Sequence, residues 1–414
     1  MQKILGILVG GGPAPGINGV INAAALAALD RGFKVLGIYD GFEHLIAGTP
    51  QVVDLSTYPN LGFAHYHGGS LLRTSRANPT KDADKLSRTI ASLRSLGVTH
   101  LVTIGGDDTA FSASRVAAGS DIKVVHVPKT IDNDLPLPGS IPTFGFNTAR
   151  HVGAATVKAL LQDARTTSRW YFVQAMGRKA GHLALSIGKT AAATLTVIPE
   201  DFPEQVPITL RSLTTLLCGT ILKRTVQGKR YGVIVLAEGL VDRIDPADLD
   251  GLDDVERDEH GHIRYAELDF LGVLRKQVKK QLATLGQKPT IVGKDLGYEL
   301  RCVEPIAYDQ EYVRDLGFAA VDALEAGRSS LMITVQAGVA VPIPFAELLD
   351  PKTGKTKVRM VDPTAFGYMV AKAYMLRLGR EDFLDRAFVE AACKLTGMTG
   401  EALREHFSVI LERE

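Results

Sequence analysis

The chain has little cysteine: Cys218, Cys302 and Cys393 lie scattered along 414 residues. They show neither a disulfide framework nor metal-ligand spacing, a usage that fits a reducing cytoplasm. Tryptophan is nearly absent, and the single Trp170, beside Arg169 in an apolar run, reads as core rather than as a platform for stacking a ligand. Neither sign of charge prevails, because 47 Lys and Arg almost cancel 46 Asp and Glu. No overall field therefore recruits nucleic acid or an anionic membrane, and any anion site must be local. No apolar run is long enough to span a bilayer. The opening Ile4-Leu5-Gly6-Ile7-Leu8-Val9 is too short and strand-like for a signal peptide and reads as the first strand of the fold. Three further absences narrow the chemistry. There is no Gly-x-Ser-x-Gly elbow, which removes the simplest hydrolase. The pairs His65/His67 and His260/His262 lack a third ligand at zinc spacing. No repeat of short period appears.

What is present is a rhythm. Short apolar runs ending in Gly or Asp alternate with longer amphipathic stretches, the pattern of βαβ units around a parallel sheet in a doubly wound α/β protein. Strands are expected at Ile4–Val9, Val35–Tyr39, Leu101–Ile104, Lys123–Val127, Tyr171–Gln174 and Gly232–Leu236, and helices at Ile17–Leu29, Asp82–Leu96, Arg150–Asp163 and Val206–Thr225. The length suits two domains. The loop from Asp134 to Pro142 reads as the passage between them. This gives a first domain of residues 1–140 and a second of residues 141–299, leaving 351–414 unassigned. Acidic residues crowd Val241 to His262, which reads as a solvated excursion. Pro351 to Arg359 reads as a turn followed by an exposed strand whose basic run is wet.

In open α/β sheets, ligands bind beyond the carboxyl ends of the strands. Three polar clusters follow expected strands here. Gly10-Gly11-Gly12-Pro13-Ala14-Pro15-Gly16 precedes a helix and matches neither the dinucleotide fingerprint nor the P-loop; by itself it fits a tight turn as well as a phosphate cradle. Gly105-Gly106-Asp107-Asp108 sets two carboxylates beside small residues. One Asp could cap a helix, but two favour magnesium shared with substrate phosphates. Pro128-Lys129-Thr130-Ile131-Asp132-Asn133-Asp134 puts one cation and two carboxylates within six residues, a costly group in a cleft unless a ligand organises it.

Together these clusters resemble the phosphofructokinase family, and Met176-Gly177-Arg178, Glu238-Gly239 and Gly297-Tyr298-Glu299-Leu300-Arg301 continue the match in order. The resemblance implies two Rossmann-like three-layer α/β/α domains facing each other across an active-site cleft, with the chain returning to the first domain at about 300–350. It makes Asp132 the base for the sugar C1 hydroxyl and gives Mg²⁺ to Asp107 with Asp134. Gly11 and Gly12 would meet the phosphoryl donor, with Arg76 on its phosphate. Thr130, Met176, Gly177, Arg178, Glu238, Tyr298 and Arg301 would surround the sugar phosphate. Arg169 matches an arginine that some members lend to a neighbouring subunit, so a homo-oligomer, dimer or tetramer, is implied.

Two positions bear on the donor. The ATP-using branch has Gly where this chain has Asp108 and Lys129, and both residues match the pyrophosphate-using branch. An Asp adds bulk and charge where the α-phosphate of ATP would lie. Two like charges about 4 Å apart at an effective dielectric near 20 repel by roughly 4 kcal/mol. Lys129 adds positive charge where a compact donor and the moving phosphoryl group would sit. The resemblance thus implies a reversible, Mg²⁺-requiring transfer from pyrophosphate to fructose 6-phosphate, serving glycolysis or gluconeogenesis. Two rivals are another acceptor, such as sedoheptulose 7-phosphate, and a non-catalytic regulatory subunit; intact Asp107, Lys129, Asp132 and Arg178 count against the second.

Overall fold

A computed structural model describes residues 2–138, 141–250, 269–352 and 356–411. His260, His262 and most of the acidic excursion lie outside the described residues. The described strands are β1 (Ile4–Val9), β2 (Lys34–Ile38), β3 (Val52–Asp54), β4 (His100–Gly105), β5 (Lys123–Thr130), β6 (Phe144–Gly145), β7 (Trp170–Ala175), β8 (Leu195–Val197), β9 (Gly232–Ala237), β10 (Ile291–Leu296), β11 (Leu331–Gln336) and β12 (Val339–Pro344).

Two compact units emerge. The first comprises residues 1–150 and 298–359, the second 151–297 and 360–414. The division at Arg150/His151 falls inside the helix Phe146–Thr167, beyond the proline-rich loop.

In the first unit the sheet runs β12-β11-β5-β4-β1-β2-β3, with β6 beside β5. Its centre is parallel, while the β2–β3 and β11–β12 pairs at the edges are antiparallel. The central strands β1, β4 and β5 are almost continuously buried, as expected when helices cover both faces. Pro342 and Pro344 fall in edge strand β12, where a missing N–H costs no ladder bond. The helix Ile17–Asp30, rich in Ala, lies against the helix Ala307–Glu325. The approach is close: a Cβ on Gly317 would come within 2.8 Å of both Ala23 Cβ and Val20 O.

The second unit has a four-stranded parallel sheet, β10-β7-β9-β8. Trp170 is fully buried on β7. Phe383, Phe388, Leu403 and Phe407 from the carboxyl-terminal segment join Leu213, Leu217 and Leu282 in the same core, so residues from 360 onward belong to this unit.

Three expectations are revised. The helix expected from Val206 begins at Leu210, where the Thr209 hydroxyl accepts the Ser212 N–H and acts as the cap. The helix expected from Arg150 begins four residues earlier, at Phe146. Its start is fixed by Asp309, a buried residue remote in sequence whose carboxylate accepts from Gly145 N (3.0 Å), Thr148 N (2.8 Å) and Thr148 Oγ1 (2.5 Å). Thirdly, no strand follows Pro351 among the described residues, where only an isolated Leu349–Thr356 bridge forms. Nor is the basic run wholly wet, since Arg359 is half-buried and hydrogen-bonded to Asn133 and Ile141.

Burial pushes the Asp309 pKa up, against the three hydrogen bonds that favour its charged form. Asp309→Ala should leave those buried donors unsatisfied and lower unfolding stability by about 2–4 kcal/mol. Chemical denaturation of the variant and parent measures this; a loss within about 0.5 kcal/mol would show that the helix start does not depend on Asp309.

Candidate functional site

The carboxyl ends of β1, β4 and β5 bring the first three polar clusters to one edge of the first unit's sheet. Beyond β1, Gly10 N–H donates to Ile104 O (2.9 Å) and Gly11 N–H to Ser75 O (2.8 Å), while Thr74 Oγ1 donates to Gly11 O (2.6 Å). The glycine loop is thus tied between β4 and the segment leading to Arg76, whose side chain is exposed. Because the Gly11 N–H already serves Ser75, the contribution of Gly11 is its conformation, φ +82°, and its missing side chain. A Cβ there would lie 3.4 Å from Lys129 Nζ, and one on Gly12 would lie 3.6 Å from Arg301 Cζ. Two cations therefore flank the loop. Lys129 is 4% exposed and donates from Nζ to the Gly12 carbonyl. Arg301 lies over the ring of the exposed Tyr298, 5.1 Å from its centroid.

After β4, Gly106 precedes the helix Asp107–Ala118, whose first turn carries Asp107, half-buried, and Asp108, exposed. Acids in a first turn favour the helix macrodipole on structural grounds alone. Close packing beneath them is evident at Gly10 and Gly105, where added Cβ atoms would stand 2.5 Å and 2.3 Å from Thr109 side-chain atoms. His126 supports the same corner from β5: its Nε2 bonds to Gly105 O (3.0 Å) and its Nδ1 pairs with Thr103 Oγ1 (2.8 Å). Since a carbonyl only accepts, Nε2 carries the proton and Nδ1 accepts from the Thr103 hydroxyl.

After β5, Asp132 is 8% exposed and its N–H donates to Thr130 Oγ1 (3.0 Å). Asn133 adopts φ +58°, and its Oδ1 accepts the Thr143 N–H (3.0 Å). Asp134 lies in the electrostatic reach of Arg359. Among the described residues no three His, Cys, Asp or Glu side chains gather to enclose a metal. The donor set, hard carboxylate oxygens led by Asp107, instead fits an ion such as Mg²⁺ that takes one or two carboxylates and fills its shell with water and phosphate oxygens.

In the second unit, Met176-Gly177-Arg178 follows β7 and Glu238 follows its neighbour β9. Glu238 Oε2 accepts from Gly177 N (3.1 Å) and Arg178 N (3.3 Å). It therefore shapes the turn that presents the exposed Arg178, at φ +44°. Gly239 must be glycine, for a Cβ there would lie 2.1 Å from Arg178 O. Arg169 does not join this group. It stands before the first residue of β7, the end opposite Met176, about 20 Å away along six residues of strand, and lies 3.9 Å from Asp163. The parts played by Thr74, Ser75, His126 and Arg359 leave no mark in the local sequence.

Comparison with known proteins follows the same lines. The phosphofructokinase family profile matches residues 4–324. A pyrophosphate–fructose 6-phosphate 1-phosphotransferase of Thermotoga maritima is 50% identical over 93% of both chains. One of the same name from Naegleria fowleri is 48% identical over 92% of this chain and 89% of its own. A solved pyrophosphate-dependent phosphofructokinase from Nitrosospira multiformis superposes with a TM-score of 0.67, covering 99% of this chain and 91% of that one; at 17% identity it speaks for the fold alone.

His126 makes the corner pH-sensitive. Full burial, with a smaller contribution from the Lys129 charge, pushes its pKa down to about 3 against the opposing Gly105 bond. The unfolded imidazole titrates near 6.5, so between those values the unfolded chain binds the extra proton. Stability should be fully present above about pH 6.5 and fall as pH drops towards 3, by up to about 1.4 kcal/mol per unit for one proton. His100 is shifted downward too, by burial and by Lys123 and Lys3, so the measurement is the slope of denaturation free energy against pH in parent and in His126→Gln. The parent slope should be steeper between pH 6.5 and 4.5; equal slopes would remove His126 as the source.

Proposed function

The chain belongs to the phosphofructokinase family, and from that membership we propose that it transfers a phosphoryl group from inorganic pyrophosphate to fructose 6-phosphate, yielding fructose 1,6-bisphosphate and phosphate. The observation that carries the donor assignment is the buried Lys129, seated against Gly11 and bonded to the Gly12 carbonyl. A fixed positive charge there favours a small, highly charged donor and the transferring group. Asp108, exposed in the adjoining first turn, adds negative charge on the side where a nucleotide would continue. The 50% identity to a pyrophosphate-using relative supports the same donor.

Phosphoryl transfer asks a protein mainly for in-line positioning and charge neutralisation. Asp132 accepts the C1 hydroxyl proton as that oxygen bonds to phosphorus, and the bridging P–O bond breaks to release phosphate. Lys129 neutralises charge on the moving group, and Gly11 and Gly12 leave room for it. Arg76 and Arg301, the latter beside Gly12, supply charge to phosphate oxygens. Asp107, with Asp134, holds Mg²⁺, which when bound spreads the negative charge of the donor oxygens. Arg178 holds the 6-phosphate on the turn shaped by Glu238, with Met176 and Gly177 beside it. The reaction is reversible because pyrophosphate and phosphate differ less in free energy than ATP and ADP as cells hold them. Arg169, at the far end of β7, serves a neighbouring subunit of a homo-oligomer, and the enzyme works in the cytoplasm. No described helix is long and apolar enough to cross a membrane.

The test is direct. Purified chain supplied with pyrophosphate, Mg²⁺ and fructose 6-phosphate should release phosphate and form the bisphosphate, and absence of turnover would overturn the reading. Asp132→Ser should lower kcat by about 100-fold or more while sugar-phosphate affinity stays within several-fold. Near-parent kcat in that variant would take the base role away from Asp132.

A further inference from the structure

The loop carrying Asp132 is held at both ends. On one side Thr143 Oγ1 donates to Thr130 O (2.7 Å) and Thr143 N–H to Asn133 Oδ1 (3.0 Å), so strand end and loop return are stitched together. On the other side stands Arg359, the last residue of the first unit. Its backbone N–H donates to Asp134 O (2.7 Å). Its Nε and Nη2 converge on Asn133 O (3.1 and 3.0 Å), and Nη2 also reaches Asn133 Oδ1. Its Nη1 bonds to Ile141 O (2.9 Å) and, at 3.4 Å, to Leu137 O.

One planar guanidinium thus satisfies the carbonyls of Asn133, Leu137 and Ile141. Asn133 is at φ +58°, a left-handed conformation that asparagine tolerates better than most residues, and the Arg359 bonds to its carbonyl and Oδ1 hold it there. That conformation directs the chain immediately after Asp132. The neighbours of Arg359 in sequence, Lys357 and Val358, are exposed, so the contact is specific to this one member of the basic run. Burial lowers the Arg359 pKa, yet the proximity of Asp134 opposes the shift. Arginine retains its charge even so.

We propose that Arg359 is a positioning residue for the reaction: its forked guanidinium ties together Asn133, Leu137 and Ile141 and so fixes where the Asp132 carboxylate stands. The inference rests on the reading of Asp132 as the base. Arg359 itself touches only the loop. Its loss should therefore show in turnover rather than in substrate binding, because displacing a catalytic group by about 1 Å from a distance can cost up to roughly 100-fold. A lysine would keep the charge but could not span three carbonyls from a single ammonium.

The experiment compares parent, Arg359→Ala and Arg359→Lys in two arms. In the kinetic arm, the Ala variant should lose about 10- to 100-fold in kcat, with KM for pyrophosphate and fructose 6-phosphate within about threefold. The Lys variant should remain well below the parent, and added methylguanidinium should restore part of the Ala variant's kcat while leaving the parent unchanged. In the second arm, hydrogen exchange should quicken at amides of residues 130–143 while β1 and β4 keep parent protection, which separates a local effect from general unfolding. Parent-like kcat in Arg359→Ala, full recovery by lysine, or unchanged exchange in residues 130–143 would each overturn the proposal. Should the parent itself turn over no pyrophosphate, the functional reading fails, and the exchange arm still decides whether Arg359 locks the loop.

Discussion

A buried lysine is the constraint around which the first unit's site is organised. Removing an ammonium from water is costly unless fixed dipoles or charges replace its hydration, and Lys129 takes the Gly12 carbonyl as one such partner. That bond requires the glycine loop to come down onto the end of β5. The loop can do so because Gly11 has φ +82° and no Cβ, and because Ser75 and Thr74 hold it from the other side. The same crowding explains Gly10 and Gly105, which let Thr109 and the helix Asp107–Ala118 close against β1 and β4. The acids of that helix and the ammonium are thereby set at neighbouring strand ends, which is the charge pattern a magnesium-bound polyphosphate requires.

Much of this was legible in the sequence, for a physical reason. Central parallel strands are buried on both faces, so β1, β4, β5, β7 and β9 announce themselves as largely apolar runs, and parallel topology then delivers the residues after β1, β4 and β5 to one edge. The edge strands β3, β8 and β12 carry no such signal: the first two are three residues long, and β12 holds two prolines and is largely unburied. The start of the helix Phe146–Thr167 was unreadable because its cap, Asp309, stands 161 residues from Thr148.

The site was less legible than the fold wherever a side chain serves the backbone. Glu238 looks like a ligand in sequence, yet its carboxylate shapes the Gly177–Arg178 turn. Arg301 follows the sugar-phosphate motif, yet lies beside Gly12. Arg359 sits in a basic run that reads as solvated, and its partners are more than 200 residues earlier. Local composition cannot report such contacts. In each case the partner lies outside the local sequence.

The account turns on charge choosing the donor, and the measurement that tests it most directly is kcat/KM for pyrophosphate and for ATP at fixed free Mg²⁺. It should be made in the parent, Asp108→Gly, Lys129→Gly and the double variant. The parent should prefer pyrophosphate, loss of Lys129 should lower pyrophosphate kcat/KM by about 100-fold or more, and the double variant should shift the donor ratio towards ATP further than either single change, with effects that do not simply add. A parent that prefers ATP, or a double variant that keeps the parent ratio, would contradict it.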